Sequence, residues 1–217
     1  MNYYLNITMT QYNNKGGQCG ACDSCGRCND NNIANCPEGV TLYTIMTYSE
    51  NFAGILNQIT AVFTRRQVNI ESLNVCASST PGVHKYTITC FCTEETVQLI
   101  TKQIEKKIDV LQARYYTQDE IFIQEVALFK LSTPRLLENR EISRIIRVHS
   151  AKIVEVNETY SIVNITGMPE DIESLYSNLA ALDCVLQFVR TGAIAVTKNP
   201  RELLDEYLDV RQQEKEE

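Results

Sequence analysis

The chain has 217 residues, enough for one large domain or two small ones. Hydrophobic residues make up 44% and charged residues 22%, the balance of a soluble globular protein. A net charge of −7 without a basic stripe argues against nucleic acid as a partner, and no apolar run approaches the ~18 residues of a membrane helix.

In chain order, residues 1–39 stand apart as an Asn-, Gly- and Cys-rich extension with no helical or strand period. Cys19, Cys22, Cys25, Cys28 and Cys36 crowd into it. The spacing is near the ferredoxin run C-x₂-C-x₂-C-x₃-C-P, but seven residues separate Cys28 from Cys36 where that run has three. Two CxxC pairs so close together are also tight for one tetrahedral zinc. The tract is therefore read as either a Zn or Fe–S site on those five cysteines or a disordered appendage, including one added by an upstream start codon. No basic start followed by an apolar stretch marks a secretory signal, so a cytoplasmic location with reduced thiols is expected. Cys76, Cys90, Cys92 and Cys184 lie in apolar segments and are expected to be core residues.

From Val40 the texture changes. "VTLYTIMTYS" (40–49) predicts a strand. A helix follows with Asn51 as its N-cap and Ile55, Leu56, Ile59, Val62 and Phe63 on one face. "QVNIESLNVCAS" (67–78) predicts a strand with a bulge between Ile70 and Leu73, where the alternation slips. After the "TPG" turn, "VHKYTITCFC" (83–92) alternates, with Tyr86, Ile88, Cys90 and Cys92 inward. A Thr-capped helix (93–107) carries Val97, Ile100 and Ile104, and 108–116 predicts a closing strand. The order β-α-β-β-α-β is the ferredoxin-like split βαβ.

The second half repeats that order. Strands are expected at 120–131, 151–157, 159–166 and 185–190. Helices are expected at 139–149, with Ile142, Ile145 and Ile146 inward, and at 169–182, with Ile172, Leu175, Leu179 and Leu182 inward. The words Val110-Leu111-Gln112 and Val185-Leu186-Gln187 recur 75 residues apart, one module length, which supports a tandem duplication. Asn199 and Pro200 open a C-terminal helix with Leu203, Leu204, Tyr207 and Leu208 as its apolar patch. The fold class is therefore α+β, with two tandem βαββαβ modules. The divisions are 1–39, 40–117, 118–198 and a C-terminal helix and tail at 199–217.

No Walker A loop, dinucleotide fingerprint, HExxH or GxSxG is present, and neither His84 nor His149 neighbours a nucleophile in sequence. The residues alone do offer one binding feature. In "SENFAGILNQ" a strand ends and Gly54 opens an amphipathic helix, whose free N–H groups suit a small carboxylate at Asn51–Ile55. An ordinary capped helix is the plainer reading of the same stretch.

The wording "TLYTIMTYSENFAGILNQITAVFTRRQVNIESLNVCASSTPGVHKYTIT" closely resembles the small regulatory subunits of acetolactate synthase, as do "QFVRTGAIAV" and "VTKNPRELLDEY". The resemblance covers roughly residues 40–200. It implies that the first module is an ACT domain and that the chain has no catalytic site or cofactor of its own. A large catalytic subunit would carry thiamine diphosphate, Mg²⁺ and FAD. The small subunit would activate it and confer feedback inhibition, typically by valine, in branched-chain amino-acid biosynthesis. The resemblance further implies a homodimer through the ACT domains, with the effector bound where two copies meet. The matching positions are Asn51, Ala53, Gly54 and Ile55, together with Asn69 and Ile70. The competing expectations are a stand-alone amino-acid-sensing ACT protein and an Fe–S or metal redox sensor built on the cysteine tract.

Overall fold

The computed structural model describes residues 39–200 and Leu204. The cysteine tract and most of the expected C-terminal helix lie outside the described residues. The first half is β1 (Thr41–Glu50), α1 (Ile55–Arg66), β2 (Ser72–Ala77), β3 (Val83–Cys92), α2 (Glu94–Glu105) and β4 (Val110–Tyr116). Its strands form an antiparallel sheet in the order β2-β3-β1-β4, with Ile45 opposite Ile88 and Ile88 opposite Leu73. The expected helical stripes are the core. Ile55, Ile59, Val62 and Phe63 from α1 meet Val97, Ile100 and Ile104 from α2 over Tyr43, Ile45, Tyr86, Ile88, Cys90 and Cys92. Each such side chain contributes about 1.5–3 kcal/mol by leaving water. Thr93 caps α2 by accepting from the Thr96 N–H at 3.4 Å.

Several local expectations are corrected. Leu56 is 41% exposed rather than inward. Asn51 is not the N-cap of α1. Gly54 holds that position, and no side chain caps it. β2 starts only at Ser72 and pairs with β3 in unbroken register to Ala77, so the slip at Ile70–Leu73 is the bend that enters the strand, not a bulge. Cys76 is exposed on this edge strand, whereas Cys90, Cys92 and Cys184 are buried as expected. β4 starts at Val110, leaving Ile108 in the preceding turn.

The second half runs through a one-turn 3-10 segment (Gln118–Glu120) into β5 (Ile121–Ser132). It continues with α3 (Thr133–Glu138), α4 (Arg140–Val148), β6 (Lys152–Val156), β7 (Tyr160–Gly167), α5 (Pro169–Ala180), β8 (Val185–Arg190) and β9 (Ile194–Thr197). The sheet order β6-β7-β5-β8 reproduces that of the first half. Two elements were not expected, the short helix α3 and the strand β9, which pairs with the first residues of β5. Ile142, Ile146, Ile172, Leu175 and Leu179 are buried as expected, with Ile145 and Leu182 partly buried against them. Phe188 packs between Phe129 and Tyr176, at centroid distances of 4.7 and 4.8 Å.

The repeated tripeptide has a structural meaning. In the first sheet Tyr48 pairs with Gln112 and Ser49 with Val110, so Leu111 is squeezed out of register. In the second sheet Lys130 pairs with Gln187 and Leu131 with Val185, which squeezes out Leu186. Val-Leu-Gln thus marks the same β-bulge in both modules.

The two sheets meet away from the helices of the first. Met46 and Tyr116 pack with Ile121, Ile123, Ala193 and Ala195. Leu204, 1% exposed, packs with Tyr48 and Val83. This second contact explains why β1 is buried on both faces from Tyr43 to Ser49 instead of alternating. Among the described residues, no helix is long and apolar enough to cross a membrane.

Candidate functional site

β1 ends at Glu50, and the chain turns through Asn51-Phe52-Ala53-Gly54 into α1. The turn is pinned from the neighbouring β2–β3 turn, because the Asn51 N–H donates to the Gly82 carbonyl at 3.1 Å. The Phe52 N–H donates to the Glu50 carbonyl at 3.1 Å. Gly54 takes φ +93°, a conformation that L side chains rarely adopt, and a Cβ built there would meet nothing within 4 Å. Glycine therefore answers a backbone demand and also leaves the approach to the helix open. Among the described residues the Gly54, Leu56 and Asn57 N–H groups have no acceptor. They form a small positive nest at the start of a twelve-residue helix. Asn51, Ala53 and Gly54 are exposed, and Ile55 is buried in the core beneath them.

The other two positions lie elsewhere. Asn69 is exposed and Ile70 partly buried, in the segment between α1 and β2. Ser72 is level with Thr89, and Thr89 with Thr44, at the start of β1. The Gly54 turn follows Glu50, which is level with Val83 at the far end. Six residues of strand separate Thr44 from Glu50, roughly 20 Å. One copy of the chain therefore does not bring Asn51–Ile55 and Asn69–Ile70 together.

The Glu71 N–H, just before β2, donates to the Thr89 carbonyl at 2.8 Å, and the Ser72 hydroxyl lies 2.7 Å from that of Thr89. Ser72 also accepts from the Ala193 N–H at 3.4 Å, tying this end of the sheet to the second half of the chain. Sequence reasoning did not find that link, because the two residues lie 121 positions apart.

The two histidines lie in different modules. His84 is half-buried on β3. His149 joins α4 to α5, with Nδ1 3.1 Å from the Ile145 carbonyl and Nε2 3.3 Å from the Ser174 hydroxyl. Among the described residues, no three His, Cys, Asp or Glu side chains gather as a metal site. The five tract cysteines, Cys19 to Cys36, lie outside them.

The sheet order, the paired helices and the repeat of both define a tandem βαββαβ protein whose first module is of the ACT type. Residues 45–112 match the family model "AHAS small subunit-like ACT domain", and residues 124–199 match "Small subunit of acetolactate synthase". The chain belongs to the family of acetolactate synthase small subunits. It is 35% identical over 154 residues to the acetolactate synthase small subunit of Bacillus subtilis, covering 70% of this chain and 88% of that one. It is 30% identical over 159 residues to the probable acetolactate synthase small subunit of Methanothermobacter thermautotrophicus, covering 73% and 94%. Its structure is similar to the crystal structure of the acetolactate synthase small subunit from Thermotoga maritima. That match has a TM-score of 0.67 at 25% identity and covers 74% of this chain and 99% of that one.

Proposed function

We propose that this chain is the regulatory subunit of an acetolactate synthase in branched-chain amino-acid biosynthesis. It activates a catalytic subunit that carries thiamine diphosphate, Mg²⁺ and FAD, and it confers feedback inhibition by a branched-chain amino acid, valine first. The effector sits between two copies, with its α-carboxylate on the N–H groups around Gly54 of one. Asn51 of that copy and Asn69 of the other pair the remaining polar groups. Ala53 and Ile70 lie beside the branched side chain, and Ile55 supports the turn from the core beneath it. Both charges of the zwitterion are then matched as it leaves water.

The observation that carries this reading is the separation of the two half-sites by the length of the sheet. A ligand touching both halves must bridge two chains, so it favours whichever paired arrangement completes the pocket. The test is acetolactate formation by the catalytic subunit alone, with this chain, and with this chain across a valine titration. Activation by the chain and its reversal by valine are expected. A catalytic subunit indifferent to the chain would overturn the proposal.

A further inference from the structure

A cleft of about 320 Å³ opens between α1 and α2, lined by Val62, Arg65, Arg66, Gln103, Lys106 and Lys107. Four cations therefore face one hollow in a chain of net charge −7. Among the described residues, no ion pair joins any of the four to a carboxylate, and the buried Nε of Arg66 has no hydrogen-bond partner. Cations near helix C-termini complement the helix dipole, which accounts for Arg65, Arg66 and Lys106 taken one at a time. It does not account for an orphaned buried N–H, nor for the residue that follows Lys107. Ile108 is 99% exposed, the most exposed large apolar side chain among the described residues. Leu99, one helical turn before Gln103 on the same face of α2, is 50% exposed.

A small phosphate or carboxylate would use the cations and leave both apolar side chains in water. A peptide surface carrying carboxylates beside apolar side chains uses all of them, in the pattern of a buried anchor ringed by polar contacts. We infer that this cleft, with Ile108 and Leu99 at its margins, is the surface that receives an acidic segment of the catalytic subunit. The inference rests on the regulatory reading above and names the contact through which activation passes. The surface lies at the far end of α1 from the Gly54 turn, but Arg66 stands three residues before Asn69 of the other half-site, so Ile108→Ser is the variant that separates partner binding from effector binding.

The experiment measures the concentration of full-length chain that half-activates the catalytic subunit, at low and high salt. It compares the wild type, Arg66→Gln/Lys107→Gln and Ile108→Ser. Ile108→Ser changes a side chain that makes no core contact, so it keeps the test independent of folding. We expect each variant to raise the half-activating concentration about tenfold or more. The double variant should also weaken the salt dependence, because it removes two of the four charges that screening acts on. If the wild type activates and both variants match it, the docking surface is wrong while the regulatory function stands. If the wild type neither activates nor associates, the regulatory reading fails and this inference with it. Inorganic pyrophosphate titrated against the chain alone tests the other occupant. Binding that needs Arg66 and Lys107, with activation unaffected by their loss, would make the cleft a small-anion site and overturn the docking assignment.

Discussion

Gly192 lies against Ser72 so closely that a Cβ added to the glycine would stand 3.0 Å from the Cβ of Ser72. Gly192 also takes φ +78° between β8 and β9. Strand geometry of the second module and edge geometry of the first therefore meet at a residue with no room for a side chain. Gly192→Ala should lower stability by about 1–3 kcal/mol, from the left-handed backbone and the overlap together. Urea unfolding of the full chain measures this. Ser72→Gly also loses the contacts to Thr89 and Ala193, so the part due to overlap is read by comparing Gly192→Ala in the Ser72→Gly background with Ser72→Gly alone. A Gly192→Ala variant as stable as wild type would show that the two modules do not rest on each other here.

Gly54→Asp and Gly54→Ala separate charge from strain at the other critical glycine. Both incur the cost of φ +93°, and a Cβ at this position meets nothing within 4 Å. Only aspartate places a second carboxylate beside that of the effector. Two like charges ~4 Å apart cost roughly 4 kcal/mol at an effective dielectric of about 20, or about a thousandfold in affinity. Gly54→Asp should therefore abolish inhibition by valine, Gly54→Ala should weaken it less, and both should still activate. Asn69→Ala should weaken inhibition by about 1.5–3 kcal/mol, the worth of a hydrogen bond to a charged group. Valine titrations of the reconstituted enzyme check all three. Wild-type inhibition in folded Gly54→Asp would place the effector elsewhere.

Leu204 is the described part of the C-terminal segment, and it is buried against Tyr48 and Val83 on the face of the first sheet that the helices do not cover. Leu204→Ala should cost about 2–5 kcal/mol, the range for emptying a core position. Thermal melts of the variant would show a clear drop in midpoint. A change within error would mean that the segment does not hold this face in solution.

Glu125 is buried, with one carboxylate oxygen, Oε2, 3.8 Å from the Arg190 guanidinium and lacking a hydrogen-bond partner. Burial pushes its carboxyl above the usual range; Arg190 pulls it down, and Glu170 adds to the rise. The folded state therefore holds this proton more tightly than the unfolded state. The favourable contribution is complete at pH below the unfolded value and is lost as pH rises through the folded one. Glu125→Gln should accordingly raise the melting temperature at neutral pH, and the gain should shrink on acidification toward the ordinary glutamate range. A variant less stable than wild type at pH 7 would show that the ion pair with Arg190 outweighs desolvation.

Most of the framework was legible because it rests on local pattern. The stripes of α1, α2, α4 and α5 each place an apolar residue every three or four positions, and those residues form the two cores. Even the Val-Leu-Gln repeat, weak as a sequence signal, marks a bulge in both sheets. The misses have physical causes too. β9 has four residues and exists by pairing with a β5 longer than one module needs, and the six-residue α3 is too short to show a period. Apolar neighbours in sequence point to a core Cys76, but its place on an edge strand leaves it exposed. At the turn, the N-cap expected at Asn51 falls instead on Gly54. A positive φ leaves no trace in sequence beyond the glycine itself.

On the proposed bridging site, the distance between Gly54 and Asn69 along one sheet would also govern the response to dilution. For an effector held across two copies as proposed, pairing of the chains and binding of the amino acid are one linked equilibrium. Each twofold pair presents two equivalent bridging pockets, so the effector tightens the pair and the pair tightens the effector. Sensitivity to the amino acid then depends on how much of the chain the cell makes. Below the concentration at which copies pair, the proposed site would be a poor sensor, and abundance would become a second input to the feedback signal.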